Sequence, residues 1–387
     1  MSYQFISPTI LDSGIGAVEK IGDYLEMFNS EKVMIVTDKG LMTTGLVDDV
    51  VDLIEDAGKE VVVFDGVLPD PPDVMIDEAI ELAREEEVDT LVSVGGGSSI
   101  DTAKAVAVDL SSPGGYRSYY GKFNVIPGPI MPHISIPTTS GTGSEVSAFA
   151  VISDTAAEKK EGLIAATICP TVALVDANMT ISMPPHITAA TGADALTHLM
   201  ETCTTTACSP ITDGLALEGT KLLYKYLPMV VKDGKNIEAR QKVADASAMA
   251  AVAFSMGMFH LPHAIAHAIG AKWHIPHGVA CAWGLVYGLE YVAETVPDKI
   301  RDFSNIFEVD GFETKPIEEL KSDLRDKMIM FFEEINIPKL STFEHAKEDE
   351  FEKVVAACEV EMELLGPYAR KAPTREFFFE TIKKSFK

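Results

Sequence analysis

Between residues 32 and 99 the sequence alternates between two textures, and that alternation narrows the fold sharply. Lys32–Thr37 (KVMIVT) and Glu60–Phe64 (EVVVF) are short β-branched runs with the length of strands, and Asp89–Val94 (DTLVSV) is a third. Between them, about Leu46–Ala57 and Val74–Glu86 carry apolar residues at helical spacing, and the turn-rich GVLPDPPD closes the second strand. The order β-α-β-α-β implies a parallel sheet covered by helices, because strands running the same way need a crossover to return the chain.

Beyond about residue 180 the strand texture gives way to long segments of Ala, Leu, Met and Glu. Ile187–Cys203, Pro210–Tyr226, Ile237–Phe254 and Pro262–Ala268 read as helices, with more from Val286 onward. At 387 residues the chain is too long for one ordinary core. The expected organisation is an α/β domain over residues 1–180, followed by an all-helical domain over residues 181–387. A cleft between two such domains is a usual place for a ligand.

The third strand runs straight into Gly95-Gly96-Gly97-Ser98-Ser99 and a helix from Ile100, with Asp101 in its first turn. Glycines let backbone N–H groups approach an anion, and a helix N-terminus favours negative charge, so this loop suits a pyrophosphate. Its spacing is neither GxGxxG nor a Walker A loop, and a tight turn is the alternative reading. A second loop, PTTSGTGSE at 137–145, packs hydroxyls and glycines behind the apolar HISI. Together the two loops point to a dinucleotide site. Asp38, just past the first strand, fits either a helix cap or an acid that bonds a ribose diol and repels a 2′-phosphate, which favours NAD over NADP.

The histidines are concentrated. Four of the nine lie in HAIAHAIGAKWHIPH, residues 263–277, and His260 lies just upstream. His263 and His267 are i and i+4, so on a helix they share a face. Asp194 and His198, in GADALTHLME, stand in the same relation, and His277 follows Pro276 at a loop or the start of an element. One carboxylate with several imidazoles suits Fe(II), Zn(II) or a similar divalent ion. His260 and His274 read as structural or pocket-lining residues.

The bulk properties exclude several function classes. With 32 Lys and Arg against 59 Asp and Glu, the net charge of −27 would repel nucleic acid and anionic membranes. The acids cluster in surface-like segments such as Glu85–Glu87 and Lys347–Glu352, as a solvated face would, and a salt-adapted host fits the same charge. Five scattered cysteines without a CxxC pair read as reduced thiols in a cytoplasmic protein. The N-terminus lacks a basic-plus-apolar signal pattern, and no run of eighteen apolar residues offers a membrane span. Ala248–Phe254 reads as part of a buried helix.

Five motifs in order resemble the iron-containing (group III) alcohol dehydrogenases, relatives of glycerol dehydrogenase and dehydroquinate synthase. They are GGGSSID (95–101), PTTSGTGSE (137–145), ATGADALTHLME (190–201), SPITDGLAL (209–217) and HAIAHAIGAKWHIPHG (263–278). The resemblance spans nearly the whole chain. It implies a dehydroquinate synthase-like fold, metal ligands at Asp194, His198, His263 and His277, and an additional histidine near the metal at His267. It implies pyrophosphate contacts at Gly96, Gly97 and Ser98 with Asp101 nearby, adenine and ribose contacts at Thr138, Thr139 and Thr142, and Asp38 as the NAD selector. Lys160 matches a lysine that approaches the cofactor ribose. Asp70 stands where relatives often have Asn, which adds a negative charge near the cofactor. Phe149 and Phe254 match substrate-pocket positions. His274, the FHLP at 259–262 and the C-terminal GPYARKAPTRE depart from the family pattern.

The activity this implies is metal-dependent hydride transfer between NAD(H) and a small primary alcohol, diol or aldehyde, with homodimers or larger homo-oligomers expected. His267 is expected in the proton path or as an orienting partner of a ligand. Glu201, three residues past His198, is left outside the site. A lyase of the dehydroquinate synthase type is the alternative, but it needs a basic pocket. Lys272 is the only Lys or Arg between Lys242 and Lys299, and this lone cation leaves a small anionic aldehyde open as substrate.

Overall fold

In the computed structural model, which describes residues 3–387, the three expected strands sit inside a larger parallel sheet. Its strands are β1 (Ile10–Ser13), β2 (Lys32–Val36), β3 (Glu60–Phe64), β4 (Thr90–Gly95), β5 (His133–Pro137) and β8 (Val172–Val175). They lie in the order β1-β8-β5-β4-β2-β3, every neighbouring pair parallel. Between β5 and β8 the chain forms an antiparallel hairpin, β6 (Phe149–Asp154) and β7 (Lys159–Ile164).

The side-chain period of two builds a core on each face of the sheet. Val33 and Ile35 of β2 join Val92, Val94, Ile134 and Ile136 in one core, with helices α1 (Ile21–Phe28) and α3 (Leu46–Asp56) over it. Met34, Val36 and Leu91 face the opposite core, beneath α4 (Asp73–Glu85) and α5 (Gly97–Ser111). The short α2 (Lys39–Met42) follows β2 directly. Every residue of β4 is buried, as a central strand covered on both faces requires.

The chain divides into two compact units, Ile6–Met183 and Pro184–Lys387, the second also taking in residues 3–5. The second is helical: α6 (Pro185–Thr202), α7 (Pro210–Lys232), α8 (Ile237–Gly257), α9 (Leu261–Trp273), α10 (His277–Val292), α11 (Pro297–Ile306), α12 (Ile317–Glu334), α13 (Phe351–Leu365) and α14 (Arg375–Phe386). Helix starts follow local chemistry. Ser209 and Thr212 form a capping box at α7 with Pro210 in its first turn, and Pro185 opens α6. From Gly192 to Thr202, α6 is buried on all sides, so its polar residues lie in the interior. No single described helix is long and apolar enough to cross a membrane, and the apolar stretch from Ala248 to Phe254 is core.

Candidate functional site

The residues expected to bind the dinucleotide gather at one edge of the sheet. The chain steps outward from β2 to β3 and then returns to the other side of β2 as β4, so the strand order reverses between β2 and β4. Crevices at the carboxyl ends of strands flanking such a reversal are where open α/β sheets bind ligands. Asp38 follows β2, Gly95–Gly97 end β4 and open α5, and Thr138–Thr142 follow β5. Because Gly95 pairs with Pro137, the second and third loops leave the sheet at one level. They touch: a Cβ on Gly96 would stand 3.3 Å from Thr139 Oγ1, and one on Gly97 3.1 Å from Thr142 Oγ1. A side chain at either glycine would press into the threonine loop. Helix α5 starts without a side-chain cap, which leaves its first N–H groups for an anion.

Not every expected contact faces that edge in the same way. Asp38 Oδ1 caps α2, accepting from Gly40 N at 2.8 Å and Leu41 N at 3.1 Å, so the cap reading holds beside any role toward ribose. Ser98 stands in the first turn of α5, and its carbonyl oxygen accepts from Thr102 Oγ1 at 2.8 Å within the helix. Asp101 is buried, and its Oδ2 accepts from Val151 N at 2.9 Å. Burial raises its carboxyl above the usual range. Lys104, fully buried on the same helix, donates to Phe149 O at 2.6 Å. Asp101 and Lys104 therefore pin the start of β6, where Phe149 sits. Asp70 and Lys160 form an exposed ion pair at 2.6 Å, with Asp70 in the left-handed backbone region that Asn and Asp tolerate.

The expected metal ligands converge within the helical unit on one oxygen. Asp194 Oδ1 lies 3.7 Å from His198 Nδ1, 3.7 Å from His263 Nε2 and 3.4 Å from His277 Nε2. Asp194 and His198 come from α6, His263 from α9, and His277 is the first residue of α10. Glycine makes this meeting possible. A Cβ on Gly278 would stand 1.8 Å from Ala190 O in α6, and one on Gly284 2.4 Å from Pro262 O in α9. Only a helix without those side chains packs so closely, and that packing brings His277 to Asp194. Phe254 stacks on His198 with ring centroids 4.4 Å apart, and Phe259 lies 4.7 Å from His263. The two phenyl rings form an apolar wall beside the imidazoles.

Two carboxylates that sequence reasoning left out complete the arrangement. Glu201 is fully buried, accepts from His260 N at 2.5 Å and His263 N at 3.4 Å, and pairs closely with His263 Nδ1. Helix α9 has no side-chain cap of its own, so Glu201 serves its orphan N–H groups from a neighbouring helix. The same carboxylate fixes His263 Nδ1–H, which leaves Nε2 for the site. The signal was present: Asp194, His198 and Glu201 at i, i+4 and i+7 share one helical face. Glu361 of α13 bonds His267 Nδ1 at 3.0 Å, and no sequence pattern announces that pairing. His267 stacks on His277, centroids 5.6 Å apart. His260 is structural, its Nε2 bonded to Thr204 Oγ1 at 2.8 Å, and His274 is the left-handed cap that ends α9.

These groups suit a divalent cation. Asp194 Oδ1 and His198 Nδ1 are buried without a hydrogen-bond partner, a costly state that a bound ion would relieve. Burial works to raise the Asp194 carboxyl, but His198 and His277 outweigh it and hold it well below the usual range. Burial keeps His198 neutral, its pKa lowered to about 3, as a ligand must be. Burial also opposes charge on His263, yet Glu201 overcomes it and raises that imidazole well above its ordinary value. A cation would compete directly with protons for this anionic pocket. Among the described residues, the donor atoms of Asp194, His263, His277 and Cys281 all lie within 4.8 Å of one another.

Comparison with known proteins agrees with this geometry. Residues 8–177 match the family model described as iron-containing alcohol dehydrogenase, and residues 188–386 match the C-terminal model of the Fe-containing alcohol dehydrogenase family. The NAD-dependent methanol dehydrogenase of Bacillus methanolicus is 38% identical over 315 residues, 79% of this chain and 82% of that protein. The 1,3-propanediol dehydrogenase of Citrobacter freundii is 34% identical over 327 residues, 83% of this chain and 84% of its own. A crystal structure of 1,3-propanediol oxidoreductase superposes with a TM-score of 0.94 at 28% identity, covering all of both chains. Both family models are of alcohol dehydrogenases, which favours the oxidoreductase reading over the lyase alternative.

Proposed function

The chain belongs to the iron-containing alcohol dehydrogenase family, and on that premise we propose that it moves hydride between NAD(H) and a small primary alcohol or aldehyde at a divalent metal held by Asp194, His198, His263 and His277. The observation that carries this reading is the meeting of three imidazoles on Asp194 Oδ1, an oxygen with no hydrogen-bond partner of its own. When bound, the ion supplies Lewis acidity to the substrate oxygen, and NAD(H) accepts or supplies the hydride.

The chain's own residues do the rest. Gly96, Gly97 and the start of α5 cradle the pyrophosphate, and Thr138, Thr139 and Thr142 face the ribose and adenine side. Asp38 disfavours a 2′-phosphate. Asp70 and Lys160 flank the cofactor as a pair. Glu361 holds His267 at Nδ1, so His267 exchanges the substrate proton at Nε2. Phe254 and Phe259 keep water from the imidazoles, and Phe149 lines the substrate side. A short uncharged alcohol, diol or aldehyde is the substrate class, with Lys272, close in sequence to the metal motif, as a cation for an anionic variant. The protein works in the cytoplasm with its thiols reduced. It assembles as a homodimer or larger homo-oligomer, for which the edge strand β1, with Ile10 and Leu11 exposed, offers a pairing surface.

The test is reconstitution. Protein stripped with chelator receives Fe(II) or Zn(II) anaerobically, and NADH absorbance is followed with uncharged, hydroxylated and acidic short aldehydes. Metal-dependent NADH oxidation is expected with at least one of them. Bound NADH with no turnover on any metal would overturn the proposal.

A further inference from the structure

The four ligands assigned above leave out the sulfur beside them. Cys281 is fully buried on α10, one turn beyond His277, so the two side chains share a helical face. Its Sγ lies 3.4 Å from His277 Nε2 and 3.8 Å from His263 Nε2. Asp194 Oδ1 lies 3.4 Å and 3.7 Å from the same two nitrogens. A tetrahedral ion about 2.0–2.2 Å from N and O donors and about 2.3 Å from sulfur spaces its ligands about 3.3–3.7 Å apart. Those four separations are close to the edges of such a tetrahedron. Hydrogen bonds from the thiol to His277 and from His263 to the sulfur account for the two sulfur contacts taken alone. They do not account for the unpartnered, buried Asp194 Oδ1 facing both nitrogens, which a shared cation satisfies.

We propose that Cys281 is a ligand of the metal centre, its thiolate joining Asp194, His263 and His277. His198 remains within reach of Asp194 as a further donor. The inference rests on the metal-centre reading of the previous subsection. On binding, the thiol proton leaves to solvent and a sulfur–metal bond forms, with no change of oxidation state. Thiolate is a soft donor, so this centre prefers Zn(II) more strongly than an all-N/O set would.

Cobalt(II) tests the proposal without relying on turnover. Thiolate bound to Co(II) gives a sulfur-to-metal charge-transfer band in the near ultraviolet, which N and O ligands do not. Full-length, chelator-stripped protein loaded with Co(II) is expected to show that band. Cys281→Ser and Cys281→Ala are expected to lose it while still binding one Co(II), and Cys203→Ser, which changes another buried thiol, is expected to keep it. Serine preserves the side-chain volume if alanine disturbs the packing. With equimolar Zn(II) and Fe(II), the zinc-to-iron ratio retained is expected to fall roughly 10-fold in Cys281→Ser. Bound Co(II) without the band in the wild type, or a band that survives in Cys281→Ala, overturns the cysteine ligand and leaves the metal centre standing. No uptake of Co(II) at all overturns both.

Discussion

Glu201 joins two tasks in one carboxylate: it caps α9 and sets the tautomer of His263. Separating them gives a prediction. In Glu201→Gln the amide oxygen still accepts a backbone N–H, but the negative charge that strengthens His263 as a donor is gone. Metal affinity, measured by chelator competition, should fall about 10–100-fold while the melting temperature changes little. In Glu201→Ala the buried N–H groups also lose their partner, and stability should drop by a further ~1–3 kcal/mol. Equal metal affinity in all three proteins would refute the orienting role. Asp38 poses a similar question, since its carboxylate caps α2 and is also the proposed NAD selector. Serine caps helices nearly as well as aspartate but carries no charge. Asp38→Ser should therefore keep the fold and raise kcat/KM for NADP relative to NAD by on the order of 10-fold. An unchanged cofactor ratio would reduce Asp38 to its capping role.

At the scale of elements, the metal centre depends on how closely α10 approaches α6. Gly278→Ala sets a Cβ 1.8 Å from Ala190 O, and no side-chain rotation relieves a clash with backbone. The helix must shift and carry His277 with it. A cost of about 1–3 kcal/mol or more is expected, together with a fall in metal bound per chain. Gly214 in α7 is the control: its Cβ would meet nothing within 4 Å, so alanine there should stabilise by about 0.5–1 kcal/mol. The same elements show what the sequence makes legible. Strands β2, β3 and β4 declare themselves as β-branched runs, and the helices of the second unit by composition and period. The hairpin does not, because KKEGLI in β7 is half charged, starts with two exposed lysines and is held by pairing with β6. The shared face of Asp194 and His198 was readable since i, i+4 spacing is local. Glu361 reaches the site only through helix packing, a non-local property that spacing along one chain does not encode, whereas Cys281, one turn past His277, shares a face that spacing does show.

At the scale of the whole molecule, one buried histidine in the sheet gives stability a pH dependence that a single substitution isolates. His133 is buried in β5, its Nε2 is bonded to Ser93 Oγ at 2.8 Å, and burial, aided by the charge of Lys104, lowers its pKa to about 3. In the unfolded chain it titrates near 6.5. Above pH 6.5 both states are neutral and His133 confers no pH dependence. Between 6.5 and 3 only the unfolded chain binds the proton, so stability falls as the pH falls. From pH 7 to 5 this amounts to about 2 kcal/mol, or ~4–8 °C in melting temperature for a unit of this size. Glutamine places an amide where Nε2 stood and does not titrate. The stability of wild type relative to His133→Gln, read from melting curves, should therefore fall by about 2 kcal/mol as the pH drops from 7 to 5, whatever their separation at pH 7. The comparison cancels the other buried histidines, which both proteins share. Parallel curves would mean that His133 accepts its proton inside the fold.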